Sequence, residues 1–210
     1  PSKALAILNP KISSETYPFK YLAGVGVAFK VAQALIAEYK LGDAFEKWLL
    51  DVVAISTITD CVPLTGENRV FVHYGLVVLR KNRRLGLQQL FIAMGVDPAT
   101  TDTTTIGFKI GPHINAAGRV KHANAAFELL IEENPDTAKE MAEELCRTNR
   151  SRQQLSEKMA KEAMIQAERQ KDEFVIIVES EDWPVGLVGL VAGRVASKYY
   201  RPTFVVTKMG

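Results

Sequence analysis

The chain reads as an α/β protein, and three observations predict that class. Residues 174–178 (Phe-Val-Ile-Ile-Val) and 203–207 (Thr-Phe-Val-Val-Thr) are short runs rich in β-branched and aromatic residues. An apolar segment of helical length, 186–200, lies between them, and the order strand–helix–strand predicts a parallel pair. Upstream, residues 134–171 carry apolar positions at helical spacing over a length that predicts one long helix.

Composition bounds the reading. The 210 residues are 47% hydrophobic and 24% charged, enough for a real core in one large or two small domains. A net charge of +2 does not announce a polyanion partner, so a nucleic-acid surface has to come from local arginine clusters. Cys61 and Cys146 have no metal-ligand spacing and form no disulfide framework. Both lie in apolar helical patterns and read as buried free thiols of a reducing compartment. No apolar run approaches the roughly 20 residues of a membrane span, and no signal peptide is visible. A cytoplasmic protein without a membrane partner is expected. The first residue is Pro1 rather than Met, and the last residues follow a strand-like run, so a piece of a longer protein is expected.

Residues 4–8 are an apolar run ended by Asn9-Pro10 and read as a buried strand. Residues 21–41 read as a helix with Gly42 as its C-cap, and 45–59 as the next. Gly24 and Gly26 serve either close packing or backbone approach to a phosphate. Within 51–64, Asp60 ends an almost wholly apolar run. A carboxylate there is costly to ionise unless a metal, a cation or several donors meet it. Asp51, nine residues earlier, falls on roughly the opposite helix face, so further metal ligands would come from elsewhere. Alternatively, Asp60 only caps the turn before the helix at 68–81. The basic cluster 80–84 reads as solvated.

A short helix over 87–94 closes at Gly95. Residues 111–119, with two Gly, one Pro and two Ala, read as a tight irregular turn displaying His113, Asn115 and Arg119, and Asn with Arg there suits a phosphate or sugar. After a helix over 123–132, Asn134 or Asp136 caps the long helix. Its apolar stripe fails between Cys146 and Leu155, where three arginines and two glutamines either cross solvent or face an anion. Trp183 is a surface aromatic or a lid. Gly186, Gly189 and Gly193 match no phosphate loop or dinucleotide fingerprint and read as allowing close helix–sheet packing; Arg194 is the polar exception beside them.

Three stretches together carry a family resemblance: 22–30 (Leu-Ala-Gly-Val-Gly-Val-Ala-Phe-Lys), 57–69 (Thr-Ile-Thr-Asp-Cys-Val-Pro-Leu-Thr-Gly-Glu-Asn-Arg) and 107–119 (Gly-Phe-Lys-Ile-Gly-Pro-His-Ile-Asn-Ala-Ala-Gly-Arg). In this order they resemble the RecJ branch of the DHH phosphoesterases, single-strand-specific 5′ to 3′ DNA exonucleases. Residues 183–194 and 200–203 agree. The resemblance implies a parallel-sheet phosphoesterase domain, a long connecting helix and a smaller α/β domain. Residues 1–134 then form the C-terminal part of the first, 135–172 the connector and 173–210 the beginning of the last.

The resemblance also implies two divalent ions, manganese or magnesium, held by aspartates and histidines. Asp60 matches the last metal-ligand aspartate and is the catalytic candidate. Arg119, Gln153 and Arg194 match DNA-contacting positions. His113 stands where the family usually has Arg, and a neutral imidazole holds phosphate less firmly. The earlier aspartate motifs and the Asp-His-His motif are not in this sequence, so the isolated chain is expected to be inactive. Implied partners are single-stranded DNA and a single-strand-binding protein or helicase, in recombination and repair. The competing readings are a phosphodiesterase for short oligonucleotides or cyclic dinucleotides, a non-catalytic DNA-binding scaffold, and a nucleotide-binding domain built on the 186–193 glycines.

Overall fold

The structure is a computed structural model that describes residues 3–120 and 124–208, without the side chains of Asp43 and of residues 117–120. The elements are α1 (Gly24–Tyr39), α2 (Asp43–Trp48), α3 (Leu50–Thr59), α4 (Gly66–Arg80), α5 (Leu85–Met94), α6 (Thr103–Thr105), α7 (Gly111–Val120), α8 (Asn124–Ile131), α9 (Pro135–Glu168), β1 (Ile176–Glu179), α10 (Val185–Tyr199) and β2 (Thr203–Val206). The chain forms two compact units, Pro1–Pro112 with Leu129–Ala142, and His113–Glu128 with Glu143–Gly210. None of the described helices is long and apolar enough to cross a membrane.

The first unit is helical among its described residues. Its core gathers Leu22, Phe29, Val53 and Phe71, with the Phe29 and Phe71 rings edge to face at 5.3 Å. Helix α3 lies closely along α4 because Gly75 has no side chain: a Cβ there would overlap Leu50 O and Ala54 Cβ. Gly86 is held the same way against the Leu129 carbonyl.

Several expectations for this unit are corrected. Residues 4–8 form no strand, and Leu5, Ile7 and Leu8 are exposed. An apolar run becomes a strand only where another pairs with it, and none of the described residues does. The helix expected over 45–59 is split at Leu49, whose N–H bonds back to Glu46 O in a tighter turn. Lys40, at φ 54°, closes α1; Gly42, at φ 85°, opens α2 instead of capping α1. Cys61, also left-handed at φ 53°, is exposed because α3 has already ended. Residues 106–120 are helical rather than an irregular turn. A π-helical turn at Ile106–Ile110 leads into α7, and Pro112 sits in its first turn, where no N–H is needed.

In the second unit β1 and β2 pair in parallel, as expected, with Ile176 opposite Thr203 and Glu179 opposite Val206. Ile176 and Val178 bury themselves with Leu187, Val191 and Val195 of α10 and Met159, Ala163 and Ala167 of α9. The strands are covered on one face only: Ile177, Phe204 and Val206 are exposed. Asn134 is the N-cap of α9, its Oδ1 accepting from the Asp136 and Thr137 N–H groups at 3.0 and 3.1 Å. Trp183 is buried in this core, and its indole N–H donates to Glu162 at 2.9 Å.

Two further expectations fail here. A Cβ at Gly189 or Gly193 would meet nothing within 4 Å, so these glycines do not serve close helix–sheet packing. The polar centre of α9 is also not simply solvated. Thr148, Asn149 and Ser156 are buried, and Asn149 pairs with His113 of α7.

Candidate functional site

Asp60 caps the C-terminus of α3 and is exposed. The apolar run before it suggested burial, but burial ends at Thr57. The costly buried carboxylate is Asp51. Its two oxygens accept from Arg84 Nε at 2.9 Å and Nη2 at 3.2 Å, and Arg84 Nη1 donates to Leu130 O at 3.1 Å. Arg84 is therefore not part of a solvated cluster. Asp60 has no ion pair or side-chain hydrogen bond among the described residues, and it does not cap α4, which begins after Thr65.

The backbone around Asp60 is tied down by its neighbours in sequence and in space. Asn68 is fully buried and donates from Nδ2 to Tyr21 O at 2.7 Å and Pro63 O at 3.0 Å, closing the 61–65 turn. Glu67 pairs with Lys30 and accepts from the Tyr17 hydroxyl at 2.6 Å. Burial by itself pushes the Glu67 carboxyl up, but the hydrogen bonds of Lys30 and Tyr17 outweigh it and leave it below the usual carboxylate range. Burial likewise lowers Lys30, and its bonds to Glu67 and Tyr17 raise it above its ordinary value overall. On the other side, a Cβ on Gly111 would overlap Thr59 Cγ2, so the first residue of α7 rests directly on the residue preceding Asp60. Three sequence stretches, 22–30, 57–69 and the start of 107–119, are thus joined through Lys30 with Glu67 and Gly111 with Thr59.

The second unit holds an open groove of about 810 Å³ between α9 and α10. Arg152, Gln153 and Ser156 line it from α9, and Gly193, Arg194 and Lys198 are among those lining it from α10. Among the described residues no carboxylate lines it, so its charge is positive. Gln153 and Arg194, 41 residues apart by their numbers, therefore share one surface. His113 is half-buried on α7; its Nε2 lies 3.2 Å from Asn149 Nδ2, so this ring nitrogen accepts. The Asn149 Oδ1 accepts in turn from Arg152 Nε and Nη2 at 3.2 and 3.0 Å. Asn115 is exposed on α7, and the Arg119 side chain lies outside the described residues.

No protein-family model matches the chain. It is 44% identical over 202 residues to the single-stranded-DNA-specific exonuclease RecJ of Bacillus subtilis, covering 96% of this chain and 25% of that protein. It is 34% identical over 185 residues to the RecJ of Thermus thermophilus, covering 88% of this chain and 27% of that protein. The crystal structure of the Thermus RecJ with Mg2+ superposes with a TM-score of 0.80 at 32% identity, over 91% of this chain and 30% of that one. The chain belongs to the RecJ family. A second crystal structure, of exonuclease RecJ bound to manganese, agrees at TM-score 0.80 and 31% identity, over 91% of this chain and 48% of that one. The chain spans between a quarter and two fifths of the length of the curated RecJ relatives it matches.

Within this RecJ-family stretch, Asp60 offers hard oxygen donors of the kind that suit Mg2+ or Mn2+. Among the described residues no group of three or more His, Cys, Asp or Glu gathers to hold an ion. Sequence reasoning did not pick out Asn149, Ser156 or Lys198. Asn149 and Ser156 sit in the polar interruption of the α9 stripe, and Lys198 follows Arg194 by one helical turn; those were the available signals.

Proposed function

We propose that the chain is part of a metal-dependent 5′ to 3′ exonuclease that hydrolyses phosphodiester bonds of single-stranded DNA. The observation that carries this reading is the basic groove that brings Gln153 and Arg194 together with Arg152 and Lys198, with no carboxylate among its described lining residues. Such a surface neutralises a polyanionic backbone and releases its counterions. His113 holds Asn149, and Asn149 orients the Arg152 guanidinium toward the same task. Asn115 and Arg119 extend the contact on α7.

In the first unit Asp60 would be a metal ligand. Manganese or magnesium, as a pair of ions, would supply a metal-activated nucleophile and stabilise the attacking and leaving oxygens. The Asn68 anchor ties down the turn that follows Asp60. The division into a phosphoesterase part at 1–134, a connector at 135–172 and the beginning of an associated domain at 173–210 belongs to this reading. So do a cytoplasmic role in recombination and repair, and work beside a single-strand-binding protein or helicase.

The test is a protein extended at both ends to the length of its RecJ relatives, given 5′-phosphorylated single-stranded DNA and manganese beside its Asp60→Ala version. Mononucleotides released from the 5′ end, and lost in the variant, are expected. DNA binding without release would favour a binding scaffold instead. Equal turnover of dinucleotides and long strands would favour a phosphodiesterase of short substrates.

A further inference from the structure

The fold sorts the basic cluster at 80–84. Two of its cations are tied to the first unit itself: Arg80 donates to Thr101 O at 2.9 Å, and Arg84 holds Asp51. The other two, Lys81 and Arg83, are exposed and lie over the Trp48 ring. Lys81 Nζ is 5.5 Å from the ring centre, and the Arg83 guanidinium carbon is 4.0 Å from it. A guanidinium stacked on an indole uses its face and keeps its in-plane N–H donors for a carboxylate. Among the described residues no carboxylate pairs with Lys81 or Arg83.

Beside these cations an open groove of about 580 Å³ runs between α2 and α4. Trp48, Leu50, Tyr74, Val77 and Val78 give it an apolar floor and walls. The charges among its described lining residues are Lys47 and Lys81, and both are exposed. A neighbouring hollow of about 250 Å³ shares Trp48 and Val78 and adds Arg83; the carboxylate that lines it, Asp51, is already held by Arg84. Helix α4 is apolar on this side as well as on its packed side. Val70, Tyr74 and Val77 are 51%, 57% and 44% exposed, at the spacing of one helix face, while Phe71, Val72 and Leu79 are buried. The solvated face of a helix is ordinarily polar, and apolar surface rimmed by charge is characteristic of an interaction site.

We propose that this groove docks an acidic segment of a partner protein that bears one large apolar side chain. The apolar anchor fills the floor, and carboxylates beside it pair with Lys47, Lys81 and Arg83. Charge complementarity sets the sign of the partner: three cations without a carboxylate frame the groove. An apolar anchor in a pocket within a charged rim is how a protein segment is held. A nucleic-acid strand would want a more polar track and open aromatic faces, whereas this floor is largely aliphatic and Arg83 covers Trp48. The proposal does not rest on the nuclease reading, because neither Asp60 nor α9 lines this groove.

The experiment uses the 210-residue chain. A random twelve-residue peptide library displayed on phage is selected on the immobilised chain, and an enriched peptide is then labelled and its binding followed by anisotropy. Enriched peptides are expected to combine several Asp or Glu with a Phe, Trp or Leu. The variant carrying both Lys81→Glu and Arg83→Glu is expected to bind about tenfold or more weakly. Tyr74→Ser, which removes a groove wall, is expected to weaken binding too. Lys161→Glu, an exposed charge reversal on α9, is expected to stay within about twofold. All four exchanged residues are exposed, so each Tm should stay near that of the unsubstituted chain. No enrichment, enriched peptides without acidic residues, or equal binding by the double variant would overturn the docking site. A fluorescent oligothymidylate that binds the chain and is lost in the double variant would assign the groove to nucleic acid and overturn it as well. Each of these failures leaves the nuclease reading standing, since the double variant of the extended protein is expected to keep its turnover.

Discussion

Gln170 of α9 holds both main-chain groups of Ile177 in β1. Its Oε1 accepts from the Ile177 N–H at 3.0 Å, and its Nε2 donates to the Ile177 carbonyl at 2.8 Å. One turn earlier, Gln166 does the same for Glu179, at 2.9 and 2.8 Å. The match is geometric: four residues of helix rise about 6 Å, and two residues of strand advance about 6.6 Å. Two side-chain amides thus stand in for a neighbouring strand and close the outer edge of the sheet.

Replacing both glutamines by alanine should therefore lower stability by about 1 kcal/mol each and expose a strand edge. Thermal melts should show a lower Tm, and sedimentation should show association that grows with concentration. An unchanged Tm with a strictly monomeric species would mean that water replaces the glutamines at no cost.

Asp51 and Asp60 should behave oppositely. Asp51→Ala leaves Arg84 without its partner in a largely buried place, and should cost about 3–5 kcal/mol in urea unfolding. Asp60→Ala removes an exposed negative charge from a helix C-terminus, so stability should hold level or rise by about 0.5 kcal/mol. Manganese affinity of the extended protein, by calorimetry, should fall for Asp60→Ala. Retained affinity there would remove Asp60 from the metal reading.

The Lys30–Glu67 pair makes a pH-dependent contribution. The Glu67 carboxyl is lowered on folding, so its contribution is present above the ordinary carboxylate pKa and is lost as pH falls through the lowered folded value. Lys30 is raised on folding, so its contribution is present below the ordinary lysine pKa and is lost as pH rises through the raised one. Glu67→Gln should then cost about 1 kcal/mol at neutral pH, and the difference from the unsubstituted chain should vanish in acid. Parallel melting curves down to strong acid would contradict the pair.

Arg194→Ala and Lys198→Ala should each weaken single-strand binding across sequences. Each should also flatten the dependence of log K on log salt by about 0.7. Titration at several salt concentrations reads both effects. An unchanged slope would count against phosphate contact at that residue.

Much of this architecture is legible along the chain, because it depends on neighbours in sequence. The Asn134 cap, the Gly95 stop after α5 and the order β1–α10–β2 all follow from residues a few positions apart. The π-helical turn at Ile106–Ile110 was not legible. Glycine and proline at 111–112 signal a break, yet Gly111 is required by its contact with Thr59, and Pro112 is tolerated in a first helical turn. The site was legible in identity rather than in setting. Asp60 drew attention as a carboxylate ending an apolar run, but the burial that run implied belongs to Asp51.

By itself, the sequence determined the fold class, the long helix with its polar interruption, and the residues that carry the RecJ-family likeness. Those features rest on periodicity and local chemistry. Only the tertiary structure decided which carboxylate is buried with Arg84, that Gln166 and Gln170 seal β1, and that residues 4–8 pair with no strand among those described. It alone set Gln153, Ser156, Gly193 and Arg194 around one groove. The physical reason is the same in each case. Burial, ion pairing and sheet edges are properties of groups brought together across the fold, and the pattern along the chain does not contain the distance between them.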